Sequence, residues 1–340
     1  MEQLLQVNDR GLYCQRGDFY IDPWRPVETA LITHAHGDHC YRGMGRYIAH
    51  AHSCSIMRIR YGFEEQQLES VAYGESFELN GVGVTFFPAG HILGSAQIRL
   101  EAGDRVWVVS GDYKRAPDPT AQSFVPLRSD VFVTEATFAL PVFQWRDTRL
   151  VVEDVLSWWQ SMAKLGKPAL LYAYSLGKAQ RLLAELQSLS SGGSSCYPGP
   201  LILHNSCVAL TEYYQEALNL DFHYRSADDP RDCSDWQQAL VIAPPSAEGG
   251  RWIKRLTGAS QALASGWMAL RGSRRRRAMD QGFVISDHAD WPALIRTVEQ
   301  SKASKVLVTH GYNDVLARFL RENHRLEAED LKSLYEGEGE

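Results

Sequence analysis

The sequence predicts an α/β protein in which one strand-rich domain is interrupted by a second domain of alternating strands and helices. Three observations carry this. Short apolar runs in the first part of the chain end on histidine or aspartate. From about residue 147 the pattern changes to helices alternating with strands. After residue 279 the strand-then-ligand style returns, so the middle part reads as an insertion.

The first run is the most informative. Ala30-Leu31-Ile32-Thr33 leads directly to His34-Ala35-His36-Gly37-Asp38-His39, which sets three imidazoles and a carboxylate within six residues. Neutral imidazole and carboxylate are the usual donors for zinc and similar divalent ions. The design recurs. Val82–Phe87 leads to Pro88-Ala89-Gly90-His91, and Val106–Ser110 leads to Gly111-Asp112. Gly282–Ser286 leads to Asp287-His288, and Lys305–Thr309 leads to His310-Gly311. Apolar, β-branched runs bounded by Gly or Pro signal buried strands, and groups at strand ends are where sites usually sit. Any one of these residues alone would be an ordinary loop residue; five repeats of one design would not.

The middle part begins with apolar residues at helical spacing from Arg149 to Leu165, stopped by Gly166. A strand at Ala169–Tyr174, a helix from Ser175 to about Leu189, and a loop at Ser191–Ser195 follow. A strand at Leu201–His204, a helix at Ser206–Leu218 and a strand at Leu240–Ala243 complete the alternation, which implies a parallel sheet. The organisation expected is 1–139 and 279–340 as one domain, with 140–278 inserted.

Composition bounds the rest. The 340 residues are 44% apolar and 22% charged, the profile of a soluble globular protein of cytoplasmic type. No apolar stretch approaches the roughly 18 residues that suggest a membrane span, and the N-terminus lacks signal-peptide features. The six cysteines include no C-x-x-C pair and read as reduced thiols. A net charge of −6 argues against coating nucleic acid through bulk charge but leaves room for a local basic path. One such path is Arg271-Gly272-Ser273-Arg274-Arg275-Arg276-Arg277, although a charge run is often just a solvated face. Lys178, at a strand-to-helix turn, is a second candidate phosphate contact, about as well explained by helix capping. His50, His52 and His204 lie outside the motif set and read as structural or surface residues, and Asp290 before Trp291-Pro292 reads as a helix N-cap.

The ordered set H-x-H-x-D-H, a later His, an Asp after a strand and a final His resembles the metallo-β-lactamase fold, a four-layer αββα sandwich that binds two metal ions. The resemblance implies that His34, His36 and His91 hold one ion, that Asp38, His39 and His310 hold the second, and that Asp112 bridges both. Asp22 matches the early aspartate that supports the site without coordinating. Glu135 in Val133-Thr134-Glu135-Ala136 and His288 in Ser286-Asp287-His288-Ala289-Asp290 are similar to motifs of the β-CASP nucleases, whose own domain is expected between them. The stretch Ser265-Gly266-Trp267-Met268, the arginine run and Gly282–Trp291 look like the bacterial DNA ligase-associated exonucleases, which are grouped with an ATP-dependent DNA ligase and a helicase. The inserted domain is short, so substrate grooves of larger relatives are expected to be trimmed.

The reaction implied is phosphodiester hydrolysis, most simply of DNA in repair, through a hydroxide generated between two metal ions. Zinc heads the expected ions, with manganese or iron also suited. Asp38, Asp112, Glu135 and His288 form the expected catalytic set. His288 would act as general acid or phosphate contact, held and kept protonated by Glu135. Lys178 and Arg274, Arg275, Arg276 and Arg277 would touch substrate. Three rivals stand beside this reading: an RNA-processing nuclease, a thioester or lactam hydrolase, and a scaffold that has lost catalysis. The hydrolase gives the insertion no role, and the scaffold conflicts with a full ligand set.

Overall fold

The computed structural model describes residues 3–189, 197–227 and 235–331. The expected loop at Ser191–Ser195, with Cys196 and Cys233, lies outside them. The chain divides into two compact units, Met1–Gln144 with His288–Gly339, and Trp145–Asp287. The first boundary falls after residue 139 because Phe143 still belongs to the first unit. Its ring packs against Phe138, and its carbonyl accepts from the Trp291 N–H at 3.1 Å.

The first unit opens with a sheet whose strands follow chain order: β1 (Leu5–Val7), β2 (Leu12–Cys14), β3 (Phe19–Ile21), β4 (Thr29–Ile32), β5 (Arg46–His50) and β6 (Leu68–Val71). The β1–β3 pairings are antiparallel and those from β3 to β6 parallel. Helix α1 (Ala51–Tyr61) packs against β5 and β6. No helix was expected in this half. The α1 sequence, AHSCSIMRIRY, hides its helical period behind basic and small residues. The second sheet starts with β7 (Ser76–Leu79), β8 (Val82–Pro88), β9 (Ala96–Ala102), β10 (Arg105–Val109) and β11 (Val131–Ala136).

The second unit, by itself, is a parallel α/β fold. Helix α2 (Thr148–Lys164) is capped by Asp147, whose side chain accepts from the Arg149 N–H, and it buries Val151, Val152, Val155, Trp158 and Trp159. Strand β12 (Ala169–Tyr172) and helix α3 (Lys178–Leu189) follow, then β13 (Leu201–Leu203), α4 (Asn205–Leu218), β14 (Arg225–Ser226), β15 (Leu240–Ala243) and β16 (Ser260–Ala264). The unit closes with the short α5 (Ser273–Arg276) and β17 (Gln281–Phe283). The sheet order is β14-β13-β15-β12-β16-β17, parallel throughout, and its central strands β12 and β15 are buried at every position. That is why they read as continuous apolar runs. Helix α3 starts three residues later than expected from Ser175. The strand expected at Gly282–Ser286 ends at Phe283, opposite Ala264, where its partner β16 also ends.

The chain then returns to the first unit with α6 (Trp291–Ser301), β18 (Lys305–Gly311), α7 (Asn313–His324) and β19 (Glu327–Asp330). Asp290 caps α6, accepting from the Ala293 N–H at 3.1 Å. Strands β18 and β19 complete the second sheet in the order β19-β18-β11-β10-β9-β8-β7. Side chains alternate across this sheet with the strand period of two. Trp107, Val109, Val131, Val133 and Leu307 face the first sheet's Leu5, Phe19, Ile21, Leu31 and Ile48. Their neighbours Val108, Phe132, Val306 and Val308 pack on Leu294 and Val298 of α6 and Leu316 and Leu320 of α7. The first unit is therefore layered helix, sheet, sheet, helix.

Candidate metal centre

Strand β4 ends at Ile32, and Thr33 turns the chain into the His34–His39 segment. The Thr33 carbonyl accepts from the Ala96 N–H of β9 at 2.8 Å, tying the turn to the second sheet. Asp22, just beyond β3 with a left-handed φ of 43°, braces the same turn. Its carboxylate accepts from the Thr33 N–H at 2.8 Å and the Thr33 hydroxyl at 2.6 Å. One of its oxygens also lies 2.7 Å from His39 Nδ1. With Nδ1–H donated there, His39 presents Nε2 to Oδ2 of Asp112, 3.3 Å away. Asp112 arrives from the end of β10 through Gly111, whose φ is 55°; a Cβ there would sit 2.7 Å from Thr33 Cβ.

The remaining histidines close around the same carboxylate. His34 Nε2 is 3.6 Å from Asp112 Oδ2, and His91 Nε2 and His288 Nδ1 are each 4.0 Å away. His36 Nδ1 lies 3.1 Å from His34 Nε2 and 3.0 Å from His91 Nε2. Two nitrogens bound to one tetrahedral zinc at about 2.05 Å are about 3.3 Å apart, so this spacing suits a shared ion. Among the described residues the donor groups close enough to share an ion are His34/His36/His91, His34/His39/Asp112 and His91/Asp112/His288. Asp112 Oδ1 is buried and finds no hydrogen-bond partner among the described residues, a cost that a bound cation would remove. The residues present therefore fit divalent metal, with Asp112 shared by two of the three groups and His34 and His91 linking them to the third.

Charge follows from burial and neighbours. Burial opposes charge on Asp112, yet His39 and His288 hold its carboxyl well below the usual range. Burial likewise opposes charge on His39, but the Asp112 and Asp22 carboxylates raise its pKa well above the ordinary value. Burial, with His39 and His91 alongside, drives His34 far down, which leaves it in the neutral form that binds metal.

The other expected site residues are placed less uniformly. His310 is the extra residue of a bulge: Glu135 pairs with Thr309 and Ala136 with Gly311, and His310 itself has φ 55°. A bulge re-aims a side chain, and here the ring stacks on His39 at 4.6 Å between centroids. Asp38 is half-exposed, with Oδ2 3.9 Å from His39 Nε2. Neither Asp38 nor His310 falls within the three close donor groups, whereas His288, expected as a general acid or phosphate contact and not as a ligand, does. Glu135, at the end of β11, is fully enclosed. One oxygen accepts from the Tyr113 N–H at 2.7 Å and the other is 3.0 Å from His288 Nδ1. Burial pushes the Glu135 pKa up against the pull of His288. Cys40 is buried and stands outside the donor groups.

Two expected substrate contacts lie in the second unit. Lys178 is not on the surface: it is fully buried, with Nζ 3.6 Å from Asp287 and over the Tyr174 ring. Arg274, Arg275 and Arg276 form the exposed helix α5, followed by Arg277. His50 and His204 cap α1 and α4, accepting from the His52 and Ser206 N–H groups. Sequence reasoning missed Thr33, whose hydroxyl joins Asp22 to His34 Nδ1 at 3.1 Å. Its only signal was a hydroxyl residue ending an otherwise apolar strand.

No family profile matches the chain. It is similar to a "Probable DNA ligase" of Opitutus terrae, 30% identical over 316 residues that make up 92% of this chain and 30% of that protein. It is 35% identical over 306 residues to "Endoribonuclease YSH1" of Candida glabrata, covering 74% of this chain and 39% of the relative. It is 27% identical over 160 residues to "Cleavage and polyadenylation specificity factor 73" of Drosophila melanogaster, covering 45% and 23%. The chain thus spans less than half the length of each of these relatives. A solved structure from Enterococcus faecalis V583, a protein of unknown function, superposes with a TM-score of 0.56 at 11% identity, covering 83% of this chain and 75% of that one. That likeness concerns the fold alone. The chain is a relative of the β-CASP nucleases of the metallo-β-lactamase fold, among them YSH1 and factor 73, and its α/β architecture and histidine–aspartate cluster are consistent with that family.

Proposed function

We propose that the protein is a metal-dependent phosphodiesterase, a DNA exonuclease acting in repair. The observation that carries the DNA reading is the match to the probable DNA ligase, which runs through 92% of this chain and hence through both units, yet occupies 30% of that protein. A chain joining such a region to a ligase supports a functional association with a DNA ligase here, and by extension with a helicase, in the cytoplasm. No helix among the described residues is long and apolar enough to cross a membrane.

In this reading His34, His36 and His91 would hold one ion and Asp38, His39 and His310 the other, with Asp112 serving both. Zinc suits this donor set best, with manganese or iron as alternatives. When bound, the metals would supply a hydroxide near neutral pH and offset charge on the phosphoryl oxygens. Asp22 fixes the tautomer of His39 and Thr33 fixes the turn that carries the histidines. Glu135, gripped by the Tyr113 N–H, orients His288 through Nδ1. His288 Nε2 is then the atom that hands a proton to the departing oxygen of the nucleotide chain. The arginines of the Arg274–Arg277 run are proposed to touch the strand.

A second reading is an RNA-processing nuclease, favoured by the resemblance to endoribonuclease YSH1. The test offers the protein, with zinc or manganese, matched DNA and RNA strands labelled at either end, beside an Asp112→Asn control. Stepwise loss of DNA from one end, absent in the control, is the expected result. Cleavage of RNA alone would overturn the DNA reading, and silence on both would overturn the phosphodiesterase.

A further inference from the structure

The 36–38 turn is one accessible side of the cluster, the His310–Gly311 end of β18 being another. His34, His39, His91 and Asp112 are buried, whereas His36 and Asp38 are half-exposed and Gly37 is exposed. Against this turn lies the end of α1. The Tyr61 hydroxyl donates to the carbonyl of Ala35, between His34 and His36, at 3.0 Å, and Arg60 Nη1 reaches the same carbonyl at 3.4 Å. Tyr61 Oη also lies nearest to Gly37, 3.6 Å from where a Cβ would be. Arg42, four residues beyond Asp38, donates to the Tyr61 carbonyl. Each guanidinium rests over a ring: Arg60 on Tyr61 at 5.3 Å, Arg42 on Phe63 at 5.5 Å.

Both arginines are exposed. The neighbouring Arg46 and Arg58 pair with Glu69 and Glu65. Among the described residues no carboxylate lies within 4.0 Å of Arg42 or Arg60. A merely structural strap between α1 and the motif turn would need hydrogen bonds only, which Tyr61 already supplies. Two preorganised cations beside an open face of an anion-processing site answer a different need.

We propose that Arg42 and Arg60 form a phosphate-binding rim that seats the backbone of a polynucleotide beside the 36–38 turn. The phosphates held there flank the one being cleaved, so the rim selects a chain over an isolated phosphodiester. This rests on the phosphodiesterase reading above and deepens it by assigning where the strand's backbone enters the first unit. Guanidinium groups suit the task because their planar forks match phosphate oxygens and keep their charge at every working pH.

The test compares wild type with Arg42→Gln, Arg60→Gln, the double variant and the two Arg→Lys variants. Cleavage of a labelled single-stranded oligonucleotide is followed across a salt series, alongside hydrolysis of bis(4-nitrophenyl) phosphate and metal content. Binding of DNA and RNA 12-mers is measured by fluorescence anisotropy in an Asp112→Asn background. Each lost phosphate contact on a single strand should reduce the log–log salt slope of binding by about 0.7. The double Gln variant should lose oligonucleotide kcat/KM by about tenfold or more at low salt while hydrolysing the small diester within about twofold of wild type. The Lys variants should keep the salt slope. An unchanged slope with an active wild type would overturn the rim, as would equal losses on both substrates with falling metal content, which would make the arginines props for the turn. A wild type that cleaves neither polymer but whose binding slope still depends on Arg42 and Arg60 would sink the reaction and leave the rim standing.

Discussion

Replacing Asp22 by Asn tests whether the candidate centre depends on one carboxylate that stands outside it. Asn tolerates the left-handed φ of 43° and keeps the side chain's shape, so the backbone need not move. Its single oxygen can still accept from the Thr33 N–H. The amide nitrogen cannot accept from the Thr33 hydroxyl or from His39 Nδ1, which now sit 2.6 and 2.7 Å from the carboxylate oxygen it replaces. The hydroxyl can rotate and accept instead. The imidazole cannot, and must shift its proton to Nε2, the nitrogen that faces Asp112. A hydrogen bond to a charged group contributes about 1.5–3 kcal/mol, and loss of such a partner behind a ligating histidine costs about 10–100-fold in metal affinity. The expected result is therefore a metal-free protein less stable by about 2 kcal/mol and metal affinity at the His39 site lower by at least about tenfold. Urea denaturation of the metal-free protein and competition with a chromogenic chelator measure the two quantities separately. Metal affinity within about twofold of wild type, alongside the lost stability, would show that Asp22 only braces the turn.

Three further outcomes are expected. His288→Gln and Glu135→Gln should each lower kcat by about 10²–10⁴-fold with metal content unchanged; loss of one equivalent of metal in His288→Gln, read by mass spectrometry, would reassign His288 as a ligand with His91 and Asp112. Gly311→Ala adds a Cβ 2.3 Å from the Ala136 carbonyl at φ 127°, so the bulge must shift and stability should fall by more than about 1 kcal/mol with His310 displaced, which thermal unfolding and metal titration will report. Burial lowers the His50 pKa to about 4, with His52 adding to it. Below the unfolded value near 6.5 the unfolded chain takes up a proton that the folded chain refuses, so His50 should cost about 2 kcal/mol of stability between pH 7 and 5. In His50→Phe that acid limb should flatten while the lost α1 cap costs about 1 kcal/mol at pH 7.5; equal slopes in urea denaturation across this range would refute the assignment.

The layered fold was legible because the relevant signals are local. Each strand that carries a donor is a buried apolar run, and the parallel strands of the second unit are buried on both faces, so both announce themselves without tertiary information. His34, His36, His39, His91 and Asp112, which the structure brings together, were legible for the same reason, since a strand end next to a donor is a statement about six or seven consecutive residues. What escaped was set by contacts between distant segments. Helix α1 was missed because a short helix packed on a sheet can carry arginines along its exposed side, which erases the apolar period. For the same reason its last turn was not connected with the motif turn, although Tyr61 and Ala35 meet across 26 residues. The strand expected before His288 is shorter than its sequence suggests: Val284, Ile285 and Ser286 look like a strand interior, but pairing stops at Phe283, opposite the last residue of β16.

His310 shows most sharply where reading residues in order stops being enough. Alternation along Lys305–Thr309 gives each residue a face of the second sheet, with Leu307 toward the first sheet and Val306 and Val308 toward the helices. Continued by two, that rule would send His310 to the helix side, with Val306 and Val308. The structure inserts it as an extra residue opposite the Glu135–Ala136 link, in a left-handed conformation, followed by a glycine that no other residue could replace against the Ala136 carbonyl. The bulge turns the ring toward His39, with which it stacks, and it does so at the same register position that brings Glu135 to the strand end. One irregularity in the pairing of β11 and β18 thus re-aims a candidate ligand, while Glu135, the carboxylate that holds His288, keeps regular register with Thr309 just before it. The sequence signal was only His-Gly at the end of an apolar run. It becomes a geometric instruction once the neighbouring strand is known, which is why Gly311→Ala, a change that adds no charge, is expected to disturb the centre as well as the fold.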